Sequence, residues 1–263
     1  MKRYLAFTRG SFMVGLVYRF GPFFSLIGNF IYLGVAYYLW SSIYKYSATL
    51  RDMTFNETFL YVALGSAVFI LLNTFVDWEV SYEIREGIIS MYLTKPMDYQ
   101  TFVLFSGLGR TLMSLMTITL PTILIVTLVF KVQIPLGLGT VLFPLSLLLA
   151  FIISFCFDYF VGVMAFYTES VWGLSTTKEI IVLALSGALI PLQFFPEKLR
   201  AVLLVLPFQT IYHTPLMMVT KPNQDPQTFL HMLAVQVVWA VVLYLLTRLF
   251  FGQAVKVLRI AGG

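Results

Sequence analysis

About twenty consecutive apolar residues in a helix span the hydrocarbon core of a bilayer, and that length of uncharged chain has few other stable homes. Residues 23–44 and 58–76 hold no Lys, Arg, Asp or Glu at all. Residues 101–130 and 139–167 are as apolar but are interrupted by Arg110 and Asp158 respectively, and residues 229–250 form another such run. Only 11% of the 263 residues are charged and 59% are hydrophobic. Soluble domains carry about 25% charged residues. The pattern predicts an all-α integral membrane protein built as one transmembrane domain.

A further span starts near Ile180 and runs into a Gly/Pro break at Gly187 and Pro191, which gives six spans. After it, residues 194–216 read FFPEKLRAVLLVLPFQTIYHTPL, with Pro196, Pro207 and Pro215. Prolines at that density do not suit one straight helix. Two short helices that dip into the outer leaflet and return are expected there. Backbone broken at membrane depth must be buried in protein or line a wet cavity. At the other end, residues 1–20 set Lys2, Arg3, Arg9 and Arg19 among Leu5, Phe7, Phe12, Leu16 and Phe20. That composition suits a basic helix in the membrane interface. It does not read as a cleaved leader, because the following apolar run is too long and no small-residue cleavage site closes it.

The basic residues set the orientation. With both ends in the cytoplasm, the inner side holds Lys2, Arg3, Arg9, Arg19, Arg85, Lys95, Lys178, Arg248, Lys256 and Arg259. The smaller set of Lys45, Arg51, Lys131, Lys198, Arg200 and Lys221 then lies outside. The net charge of +5 is therefore a topology signal and does not point to nucleic acid.

Residues 77–100 then form a cytoplasmic loop between the second and third spans, more charged than the chain around it. On a helix, Glu79, Glu83 and Glu86 share one face, and Ile84, Ile88 and Met91 share another. The spacing predicts an amphipathic helix of about four turns that Pro96 stops. Apolar side chains flanked by charge suit a groove on a partner protein. The alternative, a helix resting on lipid headgroups, conflicts with its acidic face, because the inner leaflet is anionic.

The stretch REGIISMYLTKPMDY, residues 85–99, resembles the cytoplasmic coupling helix of permease subunits in the ABC-2 class of ABC transporters. So does SGALIPLQFFPEKLRAVLLVLPFQTIYHTPL, residues 186–216, which is similar to the Gly/Pro-rich segment after their fifth span. The match there runs through Gly187, Pro191, Phe195, Pro196, Pro207, Phe208 and Pro215. The resemblance implies a six-helix half-transporter that pairs with a second permease, identical or related. It implies docking of a separate ATP-binding subunit on Glu83, Arg85, Glu86, Gly87, Ile88, Tyr92, Leu93, Lys95 and Pro96. It also implies export, typically of drugs, lipids, glycans or peptides; a mostly apolar pathway suits an amphipathic or lipidic cargo. The chain carries no G-x-x-x-x-G-K-[ST] loop, so no catalytic residue or cofactor is expected on it. ATP and Mg²⁺ belong to the partner.

Charges within the spans are costly and usually paired. Arg110 and Asp158 each lie roughly 13–15 Å from the cytoplasmic end of their runs at 1.5 Å per residue. An ion pair between them is expected, with independent snorkelling to the interface as the alternative. His213, His231 and the lone Cys156 have no metal-ligand spacing, and no metal site is expected. Two other readings stay open. An ion-coupled secondary transporter would show inverted repeats, and a membrane anchor subunit of another complex needs no transport chemistry.

Overall fold

The computed structural model of the chain describes residues 2–17 and 20–257, so Arg19 and Arg259 of the charge count, and residues 1 and 18 of the expected basic helix, lie outside it. The chain begins with α1 (Lys2–Val17) and α2 (Phe20–Ile43). A small antiparallel hairpin follows, β1 (Thr49–Leu50) with β2 (Met53–Thr54), and turns at Arg51 and Asp52, which have φ of 48° and 61°. Helix α3 (Phe55–Leu72) starts on a capping box. The Thr54 hydroxyl accepts from the Glu57 N–H and the Glu57 carboxylate accepts from the Thr54 N–H at 2.7 Å. Phe75, at φ 54°, re-aims the chain into α4 (Val76–Arg85), and α5 (Ile89–Leu93) follows.

Asp98 caps α6 (Tyr99–Ser114) by accepting from the Thr101 N–H at 3.1 Å. A π turn over Leu115–Thr119 joins α6 to α7 (Leu120–Leu128). Pro121 has no N–H to offer the carbonyl one turn back, and the wider turn absorbs that loss. Helix α8 (Leu138–Val163) passes through Pro144, and α9 (Trp172–Leu185) follows. Short helices α10 (Glu197–Leu203) and α11 (His213–Thr220) precede the long α12 (Pro226–Ala254).

Among the described residues, five helical stretches are long and apolar enough to cross a membrane: Phe20–Tyr46, Phe55–Arg85, Tyr99–Leu128, Leu138–Phe166 and Pro226–Val257. The further span expected from near Ile180 is not a single long helix. Helix α9 has 14 residues, about 21 Å, which falls short of a hydrocarbon core of about 30 Å. It begins at Trp172, ahead of the expected start near Ile180, and it stops before Gly187, which has φ 78°. A Cβ there would meet the Leu192 side chain and the Tyr61 hydroxyl at 3.0 Å.

Side-chain contacts give the directions. Asn29 Nδ2 donates to Thr122 Oγ1 at 2.9 Å, and the Phe30 and Tyr37 rings lie against Phe130, so α2 and α7 run the same way. Ser146 Oγ donates to Gln236 Oε1 at 2.8 Å and Phe160 lies against Phe250, so α8 and α12 run together. Clusters of buried and half-buried aromatic rings lie at the two ends of the bundle. Phe55, Phe59, Tyr37 and Phe130 meet at one, and Tyr99, Tyr159 and Phe251 at the other.

Helix α1 does not rest on the interface alone; it leans along α6 in the same direction. The Asp98 N–H donates to the Tyr4 hydroxyl at 3.0 Å, Thr8 Oγ1 donates to the Phe105 carbonyl at 2.8 Å, and Phe7 meets Phe102 edge-on. The closest approach is at Gly109, where an added Cβ would sit 2.3 Å from the Thr8 carbonyl and 2.9 Å from Ser11 Cβ. Gly109→Ala should therefore lower the melting temperature in detergent by the equivalent of about 1–3 kcal/mol of overpacking. Gly10→Ala, whose Cβ meets nothing within 4 Å, should leave it unchanged or slightly higher. Equal melting temperatures for the two variants would show that this contact does not hold α1.

Candidate functional site

The charged stretch is two helices and not one of four turns. Glu86 closes α4, and Gly87 takes φ 70°, the left-handed conformation that glycine adopts most readily after a helix end. The Gly87 N–H donates to the Ile84 carbonyl, and Ser90 Oγ donates to the Gly87 carbonyl at 2.7 Å, so the turn is closed by its own backbone. The break divides the predicted faces. Ile84 and Ile89 are buried, Ile88 is half-buried, and Met91 is 58% exposed.

Glu83 also points inward. Its carboxylate accepts from the Tyr99 hydroxyl at 2.5 Å, which leaves it unavailable to a partner. Burial and this carboxylate hold the Tyr92 hydroxyl above its ordinary range. What remains outside is compact: Arg85, Glu86, Gly87, Met91, Leu93, Thr94, Lys95 and Pro96 are all exposed, with Tyr92 half-buried behind them. Arg85 Nη1 donates to the Glu169 carbonyl at 3.3 Å, which steadies its head without burying it.

Immediately behind this turn lies a layer of charge, and its pairing corrects the expected Arg110–Asp158 contact. Arg110 Nη2 lies 2.6 Å from Glu79 Oε2 on α4, close but off the hydrogen-bond direction. Asp158 belongs to a different group. Lys178 Nζ of α9 sits 2.6 Å from Asp158 Oδ1 of α8 and 2.9 Å from Asp77 Oδ2 of α4. Ser175 Oγ donates to the same Asp77 oxygen. Asp77 and Asp158 are 3% and 7% exposed, so Lys178 neutralises one of two buried carboxylates while contacting both. A cavity of about 70 Å³ beside the cluster is also lined by Tyr212.

Sequence reasoning missed Lys178, Asp77 and Glu79 as partners. The only signal is that each charge falls near the edge of an apolar run, and roughly a hundred residues separate Asp77 from Lys178. Helix α4 packs closely here, because a Cβ on Gly162 of α8 would meet Val80 Cβ at 2.8 Å.

The Pro-rich segment also enters the protein. The Phe208 ring stacks on Phe157, and Gln236 Nε2 donates to the Thr210 carbonyl at 2.8 Å. Tyr61 of α3 donates to the Gly187 carbonyl at 2.8 Å, and its oxygen lies 3.2 Å from His213 Nδ1. Gly187, Pro191, Pro207 and Pro215 are buried, Phe195 and Phe208 are half-buried, and Pro196 is exposed. Irregular backbone is thus walled by α3, α8 and α12. At the far end, Lys221 Nζ donates to the Asp52 carbonyl at 2.5 Å and ties the segment to the hairpin.

Lys178→Met should be strongly destabilising, by about 3–5 kcal/mol, because it leaves two buried carboxylates with no cation. Adding Asp77→Asn and Asp158→Asn should recover much of the loss, read as melting temperature in detergent. For the outer pair, Arg110→Glu with Glu79→Arg should restore yield lost in either single variant. Arg110→Glu with Asp158→Arg should not. Rescue by the second combination alone would overturn the pairing described above.

A family model described as ABC-2 family transporter protein matches residues 30–262. No curated protein matches the chain.

Proposed function

The chain belongs to the ABC-2 transporter family, and from that premise we propose that it is the membrane-spanning half of an ATP-driven exporter of an amphipathic or lipidic cargo. A second permease, a copy or a related chain, completes the pathway. Separate ATP-binding subunits carry the ATP and Mg²⁺, and this chain performs no hydrolysis. It sits in the cell (inner) membrane with both ends in the cytoplasm. Six crossings follow if α9 and the broken segment 187–220 together make the fifth.

The observation that carries the docking reading is the two-sided build of residues 83–96. Glu83, Ile84 and Ile89 anchor one side in the bundle, while Arg85, Glu86, Met91 and Leu93 face outward beside a fixed turn. Exposed apolar side chains between charges suit a groove on another protein. The charged layer supports transmission. A push on α4 reaches α8 and α9 through Asp77 and Lys178, and α6 through Glu79 and Arg110. Packed elements move as bodies, so such a displacement tilts helices without deforming them. Export follows from the resemblance of residues 85–99 and 186–216 to exporting members.

Affinity purification in mild detergent tests this reading. The wild-type chain should bring down a phosphate-loop ATPase. Arg85→Glu with Glu86→Lys should reduce that recovery at least about tenfold, a cost of about 1.4 kcal/mol. The melting temperature of the permease should be unaffected, since both side chains are exposed. Undiminished recovery would remove the docking surface. Transport driven by a proton or sodium gradient without ATP would favour the secondary transporter.

A further inference from the structure

A second surface, beside the coupling turn, has a different chemistry. The first turns of α1 and residues 95–97 enclose an open groove of about 860 Å³, within the upper part of the size range of ligand sites. Arg3 and Lys95 supply two cations to it, and Tyr4, Phe7, Pro96 and Met97 supply its walls. No carboxylate lines it, and neither cation forms an ion pair among the described residues. Asp98, next in the chain, is committed elsewhere: it accepts from the Thr101 N–H and hydroxyl and pairs with Arg248 at 3.3 Å. Lys95 Nζ lies 4.9 Å from the centre of the Tyr92 ring, a cation–π contact that positions it without neutralising it.

The groove lies at the foot of an apolar face. Leu5, Met13, Val14, Leu16 and Val17 of α1 are all exposed, Val17 at 75%. They follow Arg3 over fourteen residues, a rise of about 21 Å, and share that side of the helix with the exposed Arg9. Two uncompensated cations at one end of an exposed apolar strip match an anionic headgroup with acyl chains attached. We propose that this groove binds one anionic phospholipid, its phosphate between Arg3 and Lys95 and its chains along the outer face of α1. A soluble phosphate shares the headgroup chemistry but makes no use of the strip. The bound lipid bridges α1 to the chain just after the coupling turn. The resemblance places Lys95 among the ATPase-docking residues, and the groove gives its ammonium a lipid partner instead. The proposal does not rest on the exporter reading, and it is tested on this chain alone.

Native mass spectrometry of the full chain in mild detergent, with added phosphatidylglycerol, phosphatidylcholine or inorganic phosphate, reads the outcome. The wild type should retain one phosphatidylglycerol and shed phosphatidylcholine. Arg3→Gln with Lys95→Gln should weaken that adduct roughly thirtyfold, at about 1 kcal/mol per basic residue near a membrane surface. Lys45→Gln with Lys198→Gln, an equal loss of charge elsewhere, should leave it intact, and Lys95→Arg should preserve it. Equal retention of both lipids, an adduct unaffected by the groove variant, or displacement by millimolar inorganic phosphate would each overturn the proposal. Failure of ATPase recovery with an intact lipid adduct would count against docking alone.

Discussion

Backbone amides and carbonyls have no water to bond in hydrocarbon, and this chain's architecture follows from satisfying them internally. Where the sequence allows, long helices do so. Where it does not, protein covers the break. The segment 187–220 contains Gly187, Pro191, Pro196, Pro207 and Pro215, and it lies against α3, α8 and α12 with Tyr61 and Gln236 donating to its free carbonyls. Pro121 is met by a π turn in place. The break between α3 and α4, where Asn73 and Phe75 are exposed, lines the small cavity beside Lys178.

Charge obeys the same rule with larger penalties. Lys178, Asp77 and Asp158 come from three helices, and each would be costly alone in a dry interior. Together they fasten α4, the helix that ends in the exposed turn, to α8 and α9. Arg110 and Glu79 fasten it to α6 at a half-exposed level where the pair is worth less. The turn is therefore attached to most of the bundle at one level, which suits a handle better than a free loop would.

Two chemistries sit side by side at this end of the molecule. The outward face of residues 85–94 mixes both charges with Met91 and Leu93, a composition for protein contact. The groove between α1 and residues 95–97 is cationic and apolar, a composition for lipid. Asp98 at the capped start of α6 holds the groove's Tyr4 through its N–H, and its carboxylate keeps Arg248 of α12 within reach.

Much of the fold was legible in the chain itself. Apolar length locates the starts of the five long helical stretches to within a few residues, although two of them run seven and nine residues past the expected ends; the requirement is local, because a helix satisfies its own backbone and its side chains need only match the solvent. Gly/Pro spacing likewise marks residues 187–216 as broken. Three things were decided only by the tertiary structure. Gly87 divides a stretch whose periodicity reads as one helix, because burying Ile84, Ile89 and Glu83 together requires a turn that periodicity does not encode. Arg110 and Asp158 take different partners, since depth along separate helices says nothing of their rotation about the bundle. Helix α1 leans on α6 because Gly109 admits its backbone, a fit between surfaces far apart in sequence. Local rules set which segments can be helical in a membrane; which faces meet, and so which charges pair, depends on how those helices pack.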